Sequence, residues 1–295
     1  MPIAHMKPML KKAKAARYGV AAFNMIDYNS GRAVVDGAQE LNAPVIIQLS
    51  VKTINLWGFQ PIADWVKTLS DSVDVPVALH LDHCKDLDVI QSCIDAGWTS
   101  VMFDGSALPF QENMRQTKLA YDLATSAGVG LEAEIGAIGG TEDDKFVAED
   151  DAILAVVDEC IEFCQEFPEL AVFAPAIGTA HGVYVGEPKI AYDRLEEITE
   201  AVDIPIALHG GTGLAEDQFT RCISSGCAKV NISTMHKLQF IEGFVSLKTE
   251  KPNLGEPIPF INSQYDLMKS GVKQMISMFG SQGHGTDAAA WAGIS

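Results

Sequence analysis

Three histidines stand at the ends of apolar runs. His83 closes Val77-Ala78-Leu79-His80-Leu81-Asp82-His83, His181 follows Ala176-Ile177-Gly178-Thr179-Ala180, and His209 closes Ile204-Pro205-Ile206-Ala207-Leu208. Each is flanked by Gly or Asp. A catalytic zinc takes three protein ligands and leaves one position open, so three such endings meeting at one point would make a metal site. Asp82 adjoins His83. A strand's pleat would send the two side chains to different sides unless the strand has ended. One can then bind metal while the other, a carboxylate beside a divalent cation, serves as acid or base. His80 lies inside the strand and is expected to pack or hydrogen-bond behind the site. His5, His236 and His284 lie outside these endings and receive no role.

Two acids, Glu132 and Glu134, fall on the same side of another strand ending, and buried acids need partners. The stretch that follows, Gly136 to Asp144, is glycine-rich and acidic. It reads either as a mobile loop that brings Glu142 to a bound substrate as a proton carrier, or as a solvated acidic turn. His209-Gly210-Gly211-Thr212-Gly213 and Asn231-Ile232-Ser233-Thr234 follow two late strands. Loop N–H groups and a helix N-terminus at such places suit a phosphate.

The elements that must position these residues are legible as alternating patterns. Eight apolar segments, Gly19–Asn24, Pro44–Ser50, Pro76–Asp82, Thr99–Asp104, Val129–Glu134, Leu170–Ile177, Pro205–His209 and Ala228–Ser233, suit strands buried on both faces. Helical patterns separate them, at Gly31–Leu41, Pro61–Ser72, Asp86–Ala96, Gln111–Ser126, Asp150–Phe167, Tyr192–Val202 and Glu216–Ser224. The expected fold is α/β, a (β/α)8 TIM barrel, with an open doubly wound sheet as the competitor. The barrel is preferred because polar residues collect at one end of nearly every strand, and in a barrel those ends form a single rim. Residues 1–295 read as one domain, with a core over about 17–250 and an extension over 251–295. In that extension Pro252, Pro257 and Pro259 suggest an extended segment, Ser263–Phe279 a final amphipathic helix, and Gly280–Ser295 a loose end.

Composition bounds the function. The chain has 295 residues, 47% of them apolar, and a formal net charge of −18. That charge argues against nucleic acid, whose phosphates need clustered Lys and Arg, but not against small phosphorylated substrates. No apolar run reaches the roughly 20 residues of a membrane span, and Met1 to Arg17 has no continuous apolar stretch of a signal peptide. The expected location is the cytoplasm, with no membrane partner. The six cysteines form no CxxC pair and read as buried, reduced thiols.

Taken together, several strings resemble the class II, zinc-dependent ketose-bisphosphate aldolases, the group of fructose-bisphosphate and tagatose-bisphosphate aldolases, in its short-chain branch. They are Ala22-Phe23-Asn24, Leu79-His80-Leu81-Asp82-His83, Met102-Phe103-Asp104-Gly105-Ser106, Glu132-Ala133-Glu134-Ile135-Gly136 with Gly139-Gly140 and Glu142-Asp143, Ala176 to Gly182, Leu208 to Gly213, and Lys229 to Thr234. The resemblance implies reversible aldol cleavage of a phosphorylated ketose to dihydroxyacetone phosphate and an aldehyde. It implies catalytic Zn²⁺ on His83, His181 and His209, and a secondary metal position at Asp104 and Glu134. Asp82 would be the acid/base for the aldehyde-derived oxygen, Glu142 the loop proton carrier, and Asn231 the holder of the enediolate. Gly182, Gly210, Gly211, Thr212, Ser233 and Thr234 would hold the phosphate, with a monovalent cation (Na⁺ or K⁺) nearby. Asn24 and Ser50 would face the aldehyde half, and the enzyme would be a homodimer or homotetramer.

The match has departures. Thr212 stands where serine is usual, and Thr141 replaces one of two adjacent acids. The short-chain branch usually carries an arginine for the distal phosphate in the tail, where this chain reads Glu250 to Phe260, and no arginine follows Arg221. Lys251 is a candidate substitute, or the aldehyde end is not phosphorylated, or it bears another acidic group. A catalytically silent barrel should have lost a ligand or Asp82, and all are present.

Overall fold

The computed structural model describes residues 3–142, 145–147, 153–182 and 188–285. Its strands are β1 (Val20–Asn24), β2 (Val45–Ser50), β3 (Val77–Cys84), β4 (Ser100–Phe103), β5 (Gly130–Ile135), β6 (Gly139–Glu142), β7 (Lys145–Val147), β8 (Val172–Pro175), β9 (Ala180–His181), β10 (Ile206–Leu208) and β11 (Cys227–Ile232). Eight of these close a barrel in the order β1-β11-β10-β8-β5-β4-β3-β2, and every pair within it is parallel. All eight apolar segments of the sequence are barrel strands. The helices between them are α2 (Tyr28–Glu40), α3 (Val51–Trp57), α4 (Phe59–Asp71), α5 (Leu87–Asp95), α6 (Phe110–Ser126), α7 (Val157–Glu166), α8 (Tyr192–Ala201), α9 (Glu216–Ser224) and α10 (Thr234–Glu250). Before them lies α1 (Met6–Ala16), and after them α11 (Pro257–Met278).

The apolar residues divide into two clusters. The larger lies between the barrel wall and the helices and includes Phe23, Ile47, Leu79, Val101, Phe163 and Val230. The smaller gathers Val20, Ala22, Ile46, Ala78, Val172, Ala174 and Ala207 with Met6, Met9, Leu10 and Ala13 of α1. Residues two apart on a strand share a face, so this second set is the lower layer of the barrel interior. α1 closes that end, and its four inward residues are fully buried. The same parity places Asn24, Gln48, His80, Asp82, Glu132, Glu134, Lys229 and Asn231 above that layer, on the interior side. The barrel is therefore apolar at one end and charged at the other.

Several expectations are corrected. The first helix is absent from the sequence reading, as are α3 and α10. In α10, Leu238, Ile241 and Val245 are exposed while His236 and Gly243 are buried, so apolar residues do not mark its inward face. Gly243 lets α11 cross closely: a Cβ there would sit 2.4 Å from the Gln264 Cα. Pro257 and Pro259 belong to the first turn of α11, where N–H groups have no intrahelical partner and proline is tolerated. Asp150 and Asp151 lie outside the described residues. The seventh helix starts only at Val157, because Ile153 pairs with Ala137 and the Ala155 N–H donates to the Ala176 carbonyl. The glycine-rich acidic segment is not a plain loop. β6 pairs antiparallel with β7 and parallel with β9, joining Gly140 to His181. The chain end is held as far as Gly285: Gly283 and Gly285 donate to Leu41 and Asn42, and His284 stacks on Tyr18 at 4.1 Å. Residues 286–295 lie outside the described residues. All six cysteines are free and buried, as expected, and no described helix is long and apolar enough to cross a membrane.

His236 has a consequence for acid stability. It is fully buried against Phe23, with ring centroids 5.2 Å apart, and neither ring nitrogen has a hydrogen-bond partner among the described residues. Burial lowers its pKa from 6.5 to about 3. Between those values the unfolded chain binds a proton that the folded chain refuses, so stability falls as pH drops below 6.5. At pH 5 this costs about 2 kcal/mol. Thermal melts at pH 7 and pH 5 should show His236→Leu losing less stability than the wild type by roughly that amount; equal losses would refute the assignment.

Candidate metal centre and active site

The three histidines meet. Their ring centroids are separated by 4.7 Å (His83–His209), 5.2 Å (His83–His181) and 6.1 Å (His181–His209). One candidate ligand atom from each lies within 4.8 Å of the others. The chain achieves this in three ways. His209 follows the last residue of β10, and His181 sits in the short β9. His83 takes a left-handed backbone conformation, φ 47°, inside β3. This departure from the pleat lets Asp82 and His83 reach the same site although they are adjacent. Left-handed conformations are uncommon outside glycine and concentrate at functional sites.

Behind the histidines lies a buried charge cluster. His209 Nε2 is 2.7 Å from Glu132 Oε1. The other Glu132 oxygen lies 2.9 Å from Lys229 Nζ and 3.1 Å from His80 Nε2, and His80 Nδ1 is 2.8 Å from Ser100 Oγ. Glu132, His80 and Lys229 are all fully buried. On the other side of the histidines, Asp104 approaches His83 at 3.4 Å and accepts from the Ser106 N–H and hydroxyl. Glu134 lies 3.8 Å from His83 and 3.4 Å from His209. His83, Asp104 and Glu134 thus form a second group with ligand atoms within 4.8 Å of one another.

Burial would raise every one of these carboxyl groups, and the neighbours decide the outcome. Lys229, His209 and His80 overcome burial and hold Glu132 well below the carboxylate range. His83, Lys85 and Ser106 likewise lower Asp104. Glu134 goes up, through burial and the adjacent Asp104 charge. His181 is pushed well down by burial and by its two histidine neighbours. His209 resists burial because Glu132 and Glu134 raise it to about 9.

The cluster has the electrostatics of a cation site. Asp82, Asp104, Glu132 and Glu134 are buried, against one fully buried ammonium, Lys229. Uncompensated buried charge is costly; His209, His83 and Lys85 offset part of it, and a divalent cation would be a fitting further counter-charge. The donor chemistry fits as well. With His209 Nε2 on Glu132, the buried Nδ1 lies 3.4 Å from Glu134 Oε2, and the three histidines offer ligand atoms within 4.8 Å of one another. A carboxylate behind a histidine is the usual way to fix a ligand's tautomer and ring orientation.

Asp82 faces this centre from a neighbouring cleft. Its carboxylate accepts from the Asn24 amide at 2.8 Å, the Gln48 amide at 3.2 Å and the Asn231 amide at 3.4 Å. Burial pushes Asp82 up, but His83, Lys229, His209 and His80 together hold it below its ordinary value. Asn24, Asp82, His181, Gly182, Gly210, Gly211, Thr212, Asn231, Ser233 and Thr234 all line one narrow cleft. Gly210 has φ 70°, and a Cβ there would lie 2.5 Å from the Ala180 carbonyl oxygen, so only glycine lets this loop approach His181. Ser233 and Thr234 begin α10, whose N-terminus opens on the same cleft. Ser50 heads α3 without capping it and lines a larger neighbouring cavity of about 670 Å³ that shares Gly182 and Thr234. The backbone of Glu142 ends β6, two residues beyond the Gly140 that pairs with His181; its side chain lies outside the described structure.

The sequence pattern described as fructose-bisphosphate aldolase class-II matches residues 4–284. The chain belongs to this family. The aldolase is 38% identical to the sulfofructosephosphate aldolase of Alkalicoccus urumqiensis over 276 residues, covering 94% of this chain and 96% of the relative. It is 37% identical to the fructose-bisphosphate aldolase of Geobacillus stearothermophilus over 286 residues, covering 96% and 99%. Among solved structures, the YdjI aldolase from Escherichia coli K12 superposes with a TM-score of 0.84 at 27% identity, over 96% of this chain and 99% of the other. The protein is accordingly a lyase of the class II aldolase type, acting on a phosphorylated ketose, and its family implies a divalent metal.

Sequence reasoning overlooked two members of the aldolase's site. Gln48 was visible only as one polar strand end among many. Lys229 was the stronger signal: a lysine inside a strand expected to be buried on both faces needs an acid. The pairing with Glu132 predicts a measurable effect. Glu132→Gln should weaken metal affinity by about 10–100-fold in a chelator competition, with far-UV circular dichroism unchanged. Unaltered affinity would show that Glu132 does not orient His209.

Proposed function

We propose that this aldolase cleaves a ketose 1-phosphate carrying a second anionic group at its far end, releasing dihydroxyacetone phosphate and an acidic aldehyde. The observation that carries the reading is Asp82, held by three amides beside the three clustered histidines. Fructose 1,6-bisphosphate is the reference substrate. Zn²⁺ on His83, His181 and His209 supplies, when bound, a Lewis acid for charge developing on the ketose oxygens. In cleavage, Asp82 removes the proton of the C4 hydroxyl. The C3–C4 electron pair passes to the dihydroxyacetone-phosphate fragment as the C4 aldehyde forms. The Asn231 amide donates a hydrogen bond toward that fragment, and Glu142 returns a proton to its C3. Gly211, Thr212, Ser233, Thr234 and the α10 N-terminus hold the 1-phosphate. Asp104 and Glu134, with His83, offer a secondary metal position.

The far end of the substrate extends into the cavity of about 670 Å³ past Ser50, where Lys52 and Lys237 are part of the wall. These lysines take the place of the missing arginine in this reading; Lys251 does not line that cavity. The names of the two relatives support it, since fructose bisphosphate and sulfofructose phosphate both carry a second acidic group. Pairing of copies is supported by the exposed apolar residues of α10 (Leu238, Ile241, Val245) and α11 (Ile258, Ile261).

The decisive experiment is a panel of ketose 1-phosphates ending in phosphate, sulfonate or a neutral group, read by dihydroxyacetone-phosphate release. Anionic ends should be preferred, and Lys52→Met or Lys237→Met should raise KM for them roughly threefold to tenfold without affecting the neutral-ended substrate. Equal turnover of all three ends would overturn the anionic assignment. Asp82→Asn should lower kcat by about 10²–10⁴-fold with metal content unchanged; retained turnover would remove Asp82 from the proton path.

A further inference from the structure

We infer that Lys229 is a positioning residue that sets which way the Asn231 amide faces, and through it the hydrogen bond offered to the reacting centre. The inference rests on the aldolase reading above and assigns a role to a side chain that does not line the substrate cleft. A primary amide has two nearly equivalent ends. Its terminal torsion is broad, so the backbone alone does not choose between them. Presented one way, Asn231 offers an N–H to Asp82 and to the substrate fragment. Presented the other way, it sets a carbonyl oxygen against the Asp82 carboxylate and has no donor for developing negative charge.

The geometry around Asn231 removes the choice. Lys229 and Asn231 are two residues apart on β11, so their side chains share the interior face. Lys229 Nζ lies 2.7 Å from Asn231 Oδ1. An ammonium has three donors and no acceptor, so only the carbonyl end of the amide can face it. The NH2 end is thereby turned to Asp82, where Nδ2 lies 3.4 Å from Oδ1. Lys229 is itself fixed from across the barrel, with Nζ 2.9 Å from Glu132 Oε2 and both groups fully buried. The carboxylate behind ligand His209 and the amide at the reacting carbon are thus held by one ammonium.

Three measurements test this. Lys229→Met should lower kcat by about 10–100-fold, the worth of a charge-assisted hydrogen bond, with KM changed less than about threefold and metal content retained. In an Asn231→Ala background the same substitution should change kcat by less than about threefold, because the group it positions is gone. A neutron structure of the wild-type protein should show deuterium on the Asn231 atom facing Asp82 and none on the atom facing Lys229. Unchanged kcat in Lys229→Met overturns the inference, and so does an undiminished loss in the Asn231→Ala background, which would place the effect on Glu132 alone. If both variants fail to fold, the wild-type neutron structure decides, and an amide turned the other way refutes the proposal. Failure of the aldolase reading looks different: the wild type would release no dihydroxyacetone phosphate from any ketose, whatever the amide orientation.

Discussion

The upper half of the barrel depends on the compensation of buried negative charge. Four carboxylates, Asp82, Asp104, Glu132 and Glu134, lie in an interior where unpaired charge is very costly. Glu132 is the best compensated, with Lys229, His209 and His80 all at its oxygens. Asp104 and Glu134 depend on His83 and His209, and the His209 proton occupies the place of a cation. The arrangement is stable as a whole only with positive charge at its centre. The family implies a divalent metal, and one held near the three clustered histidines would supply such charge, which would couple metal binding to the stability of this region.

Such a cluster needs a dry, rigid surround, which the two apolar clusters provide. The outer one fastens the helices to the wall. The inner one, closed by α1, seals the barrel end below the charges. Met6 marks the junction, since its sulfur lies 3.6 Å from the Ser100 hydroxyl that also contacts His80. The inserted helix thereby reaches the layer directly beneath the site.

The proposed anion site rests on a different device. Around Gly210, Gly211 and the start of α10 the wall supplies backbone N–H groups and a helix N-terminus. A site of this kind accommodates a phosphate within a chain of net charge −18 without a cluster of basic side chains. At the other end of the cleft, Lys52 and Lys237 are side-chain cations beside mostly apolar walls. The two ends of the proposed substrate path therefore differ in chemistry.

Much of this was written in local sequence. Continuous apolar runs specified eight strands, because a parallel strand covered on both faces needs apolar residues at successive positions. Histidine, aspartate and glycine at the strand ends mark the rim, and His83, His181, His209 and Asp82 are legible there from residue type and spacing. Elements whose pattern depends on distant partners were not. α10 shows apolar residues to the outside, and α1 is a helix whose partner is the barrel floor rather than a neighbouring strand. The hairpin of β6 and β7 has too little side-chain pattern to distinguish it from a loop, and its link to His181 is made by backbone pairing. Only tertiary structure decided that His83 leaves the pleat, that Lys229 crosses the barrel to Glu132, and that the Asn231 amide has one allowed orientation. These are contacts between residues separated by up to nearly a hundred positions, and a sequence states which groups a chain carries, whereas closure of the barrel sets the distances over which they act.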